Sequence, residues 1–219
     1  MSPIPPAKLS IVVINLPTRT DRRQAAIEEL ARLGVAETGY QIVAAKHTPQ
    51  NGAMGCALSH AMVLAQWLFE SEDEFCLVLE DDFAVRSPDA FWGMVGQAFM
   101  FNQGWDVFLL ASNVAVPIEA TPIANVFRVI NGQTTSAYLV TRRYAPTLIH
   151  AFFKAAELFR VYGNVPTLQN QTIQKALFAI DSVWKSHQLD DRYWACLPQV
   201  CLQRPSFSDV ENRFTDYGV

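Results

Sequence analysis

The stretch FCLVLEDD, Phe75 to Asp82, runs through five apolar residues and ends in three carboxylates. An unbroken apolar run of this kind reads as a strand covered on both faces, the pattern of a parallel sheet. In open α/β sheets ligands bind outside the carboxyl ends of the strands, which is where Glu80, Asp81 and Asp82 fall. Three adjacent acids repel one another and resist burial unless paired or bound to a cation. A divalent metal relieves that repulsion, and oxygen ligands suit Mn²⁺ or Mg²⁺. Such an ion can hold a diphosphate and neutralise charge on a leaving group. Side-chain alternation along an extended segment turns Glu80 and Asp82 to one side and Asp81 to the other. Asp82 is then the direct metal ligand, Glu80 a second ligand, and Glu80 or Asp81 a ribose or water-mediated contact. The competing reading is a solvated turn with a helix cap.

The flanking sequence extends the same architecture. SIVVINL, Ser10 to Leu16, is a second buried run, broken by Pro17 and Thr18. Thr20 or Asp21 can cap a helix reaching about Leu33, with Ile27, Leu30 and Ala31 on one face and Gly34 as its stop. Tyr40 to Ala44 is a short strand, which completes a βαβ unit. After the polar loop Lys46 to Gly52, helical spacing of Ala57, Leu58, Ala61, Leu64, Ala65 and Leu68 predicts a helix from about Met54 to Phe69. Strands are expected at Trp105–Leu110, Phe127–Ile130 and Ala137–Val140. Helices are expected at Arg143–Phe159 and Thr172–Phe178. The fold class is α/β, an α/β/α sandwich around a mainly parallel sheet. Residues 1–8 read as a flexible N-terminus and 9–219 as a single domain.

Composition narrows the function. The chain has 219 residues, half of them hydrophobic and 17% charged, with a formal net charge of −4. That supports a buried core and argues against a nucleic-acid surface, which needs a basic patch. Cys56, Cys76, Cys196 and Cys201 lack zinc-type spacing and read as reduced packing thiols, with a single disulfide between distant pairs as the alternative. Met1 to Ser10 lack the apolar stretch of a secretory signal, and no segment approaches the roughly 20 apolar residues of a bilayer span. The expected location is cytoplasmic, with peripheral contact at the inner membrane face left open. The oligomeric state is not legible.

Four ordered segments carry a resemblance. They are VINLPTRTDRR (Val13 to Arg23), GAMGCALSH (Gly52 to His60), LVLEDD (Leu77 to Asp82) and TSAYLVTRR (Thr135 to Arg143). AIDSVW (Ala179 to Trp184) and SFSDVENRFTDY (Ser206 to Tyr217) continue it more weakly. Together they resemble glycosyltransferase family 25, the lipooligosaccharide and procollagen galactosyltransferases. The resemblance implies a GT-A-type fold, a UDP-sugar donor, often UDP-galactose, Mn²⁺ and inverting transfer to a carbohydrate or other hydroxyl acceptor. It implies a Rossmann-like nucleotide-sugar half at 9–110 and an acceptor half at 111–219. One departure stands out: Ala53 occupies a position where members commonly carry an acid, which points to altered specificity or reduced activity.

Individual residues take roles within that frame. Asn15 ends the first strand and can bond a uracil edge or serve a turn. Arg19, Arg22 and Arg23 lie at a strand-to-helix junction suited to phosphate, and Arg23 is favoured, with Arg19 as a further donor-binding candidate. Ser59 and His60 can contact donor or acceptor, or satisfy buried hydrogen bonds. Thr134, Thr135 and Ser136 line an acceptor pocket or form a polar turn. Asp181, beside Trp184, is the candidate base for the acceptor hydroxyl, or a helix N-cap. Trp184 is a candidate acceptor contact, Asp209 or Asp216 can complete the metal shell or bind acceptor, and His187 is a lesser metal candidate. Two other readings compete. One is a nucleotide-sugar- or glycan-binding protein without turnover. The other is a metal-dependent phosphohydrolase, which lacks the extra ligands of a two-metal site.

Overall fold

A computed structural model describes residues 8–49, 51–113, 115–163, 171–208 and 213–215. Asp209 and Asp216 lie outside them. The first half lays down β1 (Leu9–Asn15), α1 (Thr20–Arg32), β2 (Gln41–Ala44), α2 (Gly52–Glu70), β3 (Phe75–Glu80), β4 (Phe83–Val85) and α3 (Pro88–Met100). The second half continues with β5 (Val107–Leu109), β6 (Val116–Ala120), β7 (Val126–Ile130), β8 (Ala137–Thr141) and α4 (Ala145–Tyr162). It ends with α5 (Gln171–Phe178), α6 (Ile180–Val183), β9 (Tyr193–Cys196), β10 (Cys201–Gln203), β11 (Ser206–Ser208) and β12 (Arg213–Thr215).

Eight strands form one sheet in the order β2-β1-β3-β8-β5-β9-β7-β6. β1 pairs in parallel with both β2 and β3, as the βαβ reading requires. β8 enters antiparallel between β3 and β5, and β7 is antiparallel to β9. Six strands therefore run one way and β8 and β7 run against them. Because β8 is reversed, the loop before it, residues 133–136, emerges at the same edge as the carboxyl ends of β1 and β3.

Two cores cover the sheet's faces. Side chains at alternate positions of β1 and β3 separate them: Ile11, Val13, Leu77 and Leu79 pack toward α1 and α3. Val12, Ile14, Cys76 and Val78 pack toward α2, α4 and α6. This is the expected three-layer sandwich. The expected face of α1 shifts by one position, because Ala26, Glu29 and Leu30 are buried. Glu29 is accommodated by accepting from Val85 N at 2.7 Å and from Arg204 Nη2 at 2.7 Å. Arg19, not Thr20 or Asp21, occupies the N-cap of α1. The stop is as read: Gly34 has φ 75°, with Gly34 N bonded to Ala31 O and Val35 N to Leu30 O, a Schellman end.

α3 is an element the sequence reading passed over. Its signal lies in Ser87-Pro88-Asp89: Ser87 accepts from Ala90 N at 3.4 Å, and Pro88 opens the first turn. α2 also corrects an expectation. Its 19 residues, with mean hydropathy 1.3, are long and apolar enough to cross a bilayer by length and composition, although half of that window is buried within the fold. The apolar character serves packing here, since α2 lies between β1 and α4.

Candidate active site

The carboxyl edge of the sheet gathers the polar residues. β3 stops at Glu80, and Asp81-Asp82 form a turn into β4. The turn ends the regular side-chain alternation after Glu80. Instead Asp81 and Asp82 share one guanidinium. Arg22 Nη1 lies 2.9 Å from Asp81 Oδ1 and 3.1 Å from Asp82 Oδ2. Asn15 donates to the other oxygen of Asp81 at 2.7 Å. Asp82 also receives Gln203 Nε2 at 3.3 Å, delivered by the β4–β10 ribbon.

Glu80 faces a different neighbourhood. Thr135 Oγ1 donates to its Oε1 at 2.7 Å, and His60 Nε2 stands 3.3 Å from the same oxygen. Its main-chain N–H bonds Ser136 O at 2.9 Å, which locks the β3 end to the loop before β8.

Electrostatics separates the three acids. Burial pushes Asp82 up, the charge of Glu80 adds to that, and Arg22 opposes it. Burial also raises Asp81, against Arg22 and Asn15. For Glu80 burial pushes upward too, but His60, Thr135 and Arg22 outweigh it and hold the carboxyl below its usual value. The charge of Glu80 thus adds to what burial does at Asp82, and a cation beside the cluster opposes both.

Beside Glu80 opens a cavity of roughly 270 Å³, whose walls include Ala53, Cys56, Thr135, Asp181 and Gln203. Asp181 sits on α6, inside its first turn, with Ala179 as the N-cap. The cap alternative for Asp181 is therefore excluded. Burial raises its carboxyl, Lys185 and the Thr134 main-chain N–H oppose that, and Glu80 adds to it. Thr134 holds φ 82°, rare for a β-branched residue, and this conformation accompanies the N–H contact to Asp181. Burial pushes the Cys56 thiol up, reinforced by Glu80, Asp181 and Asp82.

Several candidates fall elsewhere. Arg23 is exposed and Arg19 pairs with Asp21 at 2.9 Å, so Arg22 is the arginine that reaches the acids. Ser59 is buried, donates to Gly55 O at 2.7 Å and accepts from Lys46 N at 2.7 Å. Its hydroxyl ties the 46–48 loop to α2 instead of facing a ligand. Trp184 is a correction: it is wholly buried, donates to Gly132 O at 2.9 Å and packs edge-on against Tyr138 and Tyr193. A ring closed on both faces offers no sugar platform. Ser136 is fully buried and joins the site through its carbonyl. His187 lies 3.5 Å from Asp191, apart from the cavity wall. Gln203 and Cys56 were not anticipated as site residues. No local signal marks Gln203, whereas Cys56 stands four residues before His60, on one helical face.

No protein-family model matches the chain, and no curated protein matches it by sequence. Solved structures do resemble it in fold. A glycosyltransferase involved in the glycosylation of the major capsid of PBCV-1 superposes with TM-score 0.52 at 10% identity, over 93% of this chain and 96% of that one. The protein A197 from STIV gives TM-score 0.48 at 12% identity, over 95% and 86%. A UDP-glucose pyrophosphorylase complexed with UDP-glucose gives 0.47 at 9% identity, over 85% and 89%. The fold is GT-A-like.

Proposed function

We propose that this chain is a metal-dependent glycosyltransferase that moves a hexose, galactose in the first instance, from a UDP-sugar to a glycan or other hydroxyl acceptor with inversion. The observation that carries the reading is the carboxylate edge itself. Three acids end a central strand beside a cavity, and a fourth, Asp181, helps to line that cavity. The GT-A-like fold and the resemblance of the four ordered segments to glycosyltransferase family 25 support it.

The residues fit a divalent cation at one specific atom. Asp82 Oδ1 is buried and has no hydrogen-bond partner among the described residues. A buried carboxylate oxygen left so is costly unless the group is protonated or meets a cation. Asp82 and Glu80 would hold Mn²⁺ or Mg²⁺. When bound, the ion supplies charge neutralisation for the departing diphosphate. Asn15 and Asp81 stand at the end of β1 and β3, where base and ribose of the donor would dock. Arg22 carries positive charge to the same place and can turn from Asp81 and Asp82 toward phosphate.

The chemistry left to the chain is proton removal and positioning. In inverting transfer the acceptor oxygen bonds the anomeric carbon as the bond from that carbon to the phosphate oxygen breaks. Asp181 accepts the acceptor's proton as that bond forms. Its environment suits the task, since burial raises its basicity while Lys185 and Thr134 N–H keep the carboxylate oriented. Residues 9–110 would bind the donor and 111–219 the acceptor, with Thr135 at the boundary.

A second reading has its own support. Arg22 already neutralises Asp81 and Asp82, and Ala53 lines the cavity where an acid is common in family 25. Both favour a nucleotide-sugar- or glycan-binding protein without turnover. The test is UDP release from a panel of UDP-sugars with Mn²⁺, with and without acceptors, for wild type and Asp82→Ala. Release that needs metal and disappears in the variant supports the transferase. Binding of a UDP-sugar without release supports the second reading. Neither binding nor release for any UDP-sugar sinks both.

A further inference from the structure

We propose that Cys56, His60 and Glu80 form a binding site for a thiophilic divalent cation, Zn²⁺, with one coordination position open to the cavity. The site does not depend on the sugar-nucleotide reading.

Cys56 and His60 are four residues apart on α2, which stacks their side chains on one face. β3 brings Glu80 to that face. One ligand atom from each residue, sulfur, imidazole nitrogen and carboxylate oxygen, lies within 4.8 Å of the other two. Zinc bonds of about 2.0–2.3 Å would draw these atoms together. Two of the three, Cys56 and Glu80, line the cavity, so a fourth position faces it. Three protein ligands plus one open position is the arrangement of catalytic zinc sites, in which water or a ligand hydroxyl takes the last place.

His60 supplies the independent observation. It is wholly buried, yet its Nε2 has no hydrogen-bond partner among the described residues. That nitrogen lies 3.3 Å from Glu80 Oε1, the carboxylate that would share the metal with it. The other ring nitrogen, Nδ1, is 3.1 Å from the Tyr138 hydroxyl, which is itself buried. A ring fixed through one nitrogen while the other stands beside a prospective fellow ligand is how metal-binding histidines are held.

The donor set separates this site from the one proposed for Mn²⁺ or Mg²⁺. Sulfur and imidazole select zinc-like ions, whereas the Asp82 oxygens suit hard ones. Glu80 is the residue the two would share. Binding would release the Cys56 thiol proton to solvent and leave the thiolate on the metal.

The experiment uses the full chain, stripped of metal and kept reduced, titrated with Co²⁺ as a coloured stand-in for Zn²⁺. One equivalent should give a near-ultraviolet thiolate-to-cobalt band and strong tetrahedral visible absorption, both erased by Zn²⁺. Cys56→Ser should abolish the thiolate band, and His60→Gln should weaken binding at least tenfold. Tyr138→Phe should weaken it by about 10–100-fold, the usual effect of removing an outer-shell partner. Asp82→Ala should leave the band in place. Absence of the band in folded wild type overturns the proposal, and so does a band that survives Cys56→Ser. Should that variant not fold, Tyr138→Phe decides: unchanged cobalt affinity overturns the proposal. No sugar donor is present, so failure here and failure of UDP release are separate results.

Discussion

Arg22 stands between Asp81 and Asp82, and much of the site's charge balance rests on it. Removing one partner of a buried pair costs about 3–5 kcal/mol, because the other charge is left uncompensated. Arg22→Ala should therefore lower the thermal midpoint by roughly 6–20 °C, at about 2–4 °C per kcal/mol for a chain of this size. Mn²⁺ should restore part of that loss by taking over the guanidinium's role, which differential scanning calorimetry with and without the ion would read. An equal loss in both would remove the case for a cation at Asp82. At Asp181 the expectation is kinetic. Asp181→Asn keeps the shape and deletes the basic oxygen, so kcat should fall by about 10²–10⁴. The KM for the donor should stay near the wild-type value. A kcat within a factor of a few would move the base elsewhere. The adjacent acids were legible as a cluster in the sequence. Their division was not, because the choice of Arg22 over Arg23 depends on which side of the first turn of α1 faces the β3 end.

The N-terminal half of α2 shows how one element serves both packing and site. Gly55 is close to the loop after β2, where an added methyl would lie 2.5 Å from Lys46 O and 2.5 Å from Thr48 Oγ1. Ser59, one turn later, holds the same loop through Lys46 N. The helix can approach so closely only with glycine at that point. Gly55→Ala should destabilise the chain by about 1–3 kcal/mol, the usual cost of overpacking. Urea unfolding would measure it, and an unchanged midpoint would mean that the 46–48 loop moves away without cost. The helix itself was readable from its spacing, and Asn51 proved to be its cap, accepting from Met54 N at 3.0 Å. Pattern alone could not tell that Ser59 faces a loop and His60 the sheet. Both point inward, and the packing partner decides their work. Trp184 makes the same point. Its position beside Asp181 suggested a sugar contact, yet the short helix α6 turns the indole into the core.

For the whole molecule, the sheet is also tied together at the opposite end from the site. Asp106, just before β5, meets Arg143 after β8 at 3.1 Å and Arg192 before β9 at 2.9 Å. Burial pushes its carboxyl up, but Arg192 and Arg143 outweigh that and hold it below the usual range. The folded state then favours the ionised form. Its contribution is fully present above the unfolded value of roughly 4 and is lost as pH falls through the lower folded value. Thermal midpoints should drop as pH goes below about 4, and Asp106→Asn should flatten that part of the profile. Identical slopes for the two proteins would show the clasp to be without effect. The apolar runs at Ser10–Leu16 and Phe75–Leu79, ended by polar residues, determined by themselves that a sheet exists and where its polar edge lies, since burial on both faces needs unbroken hydrophobicity. Only the tertiary structure decided that β8 runs backwards beside β3. That reversal brings residues 133–136 to the acids, and the β4–β10 ribbon delivers Gln203 from more than a hundred residues away. Strand direction and long-range pairing depend on which surfaces meet in space, and hydrophobic pattern is the same whichever way a strand runs.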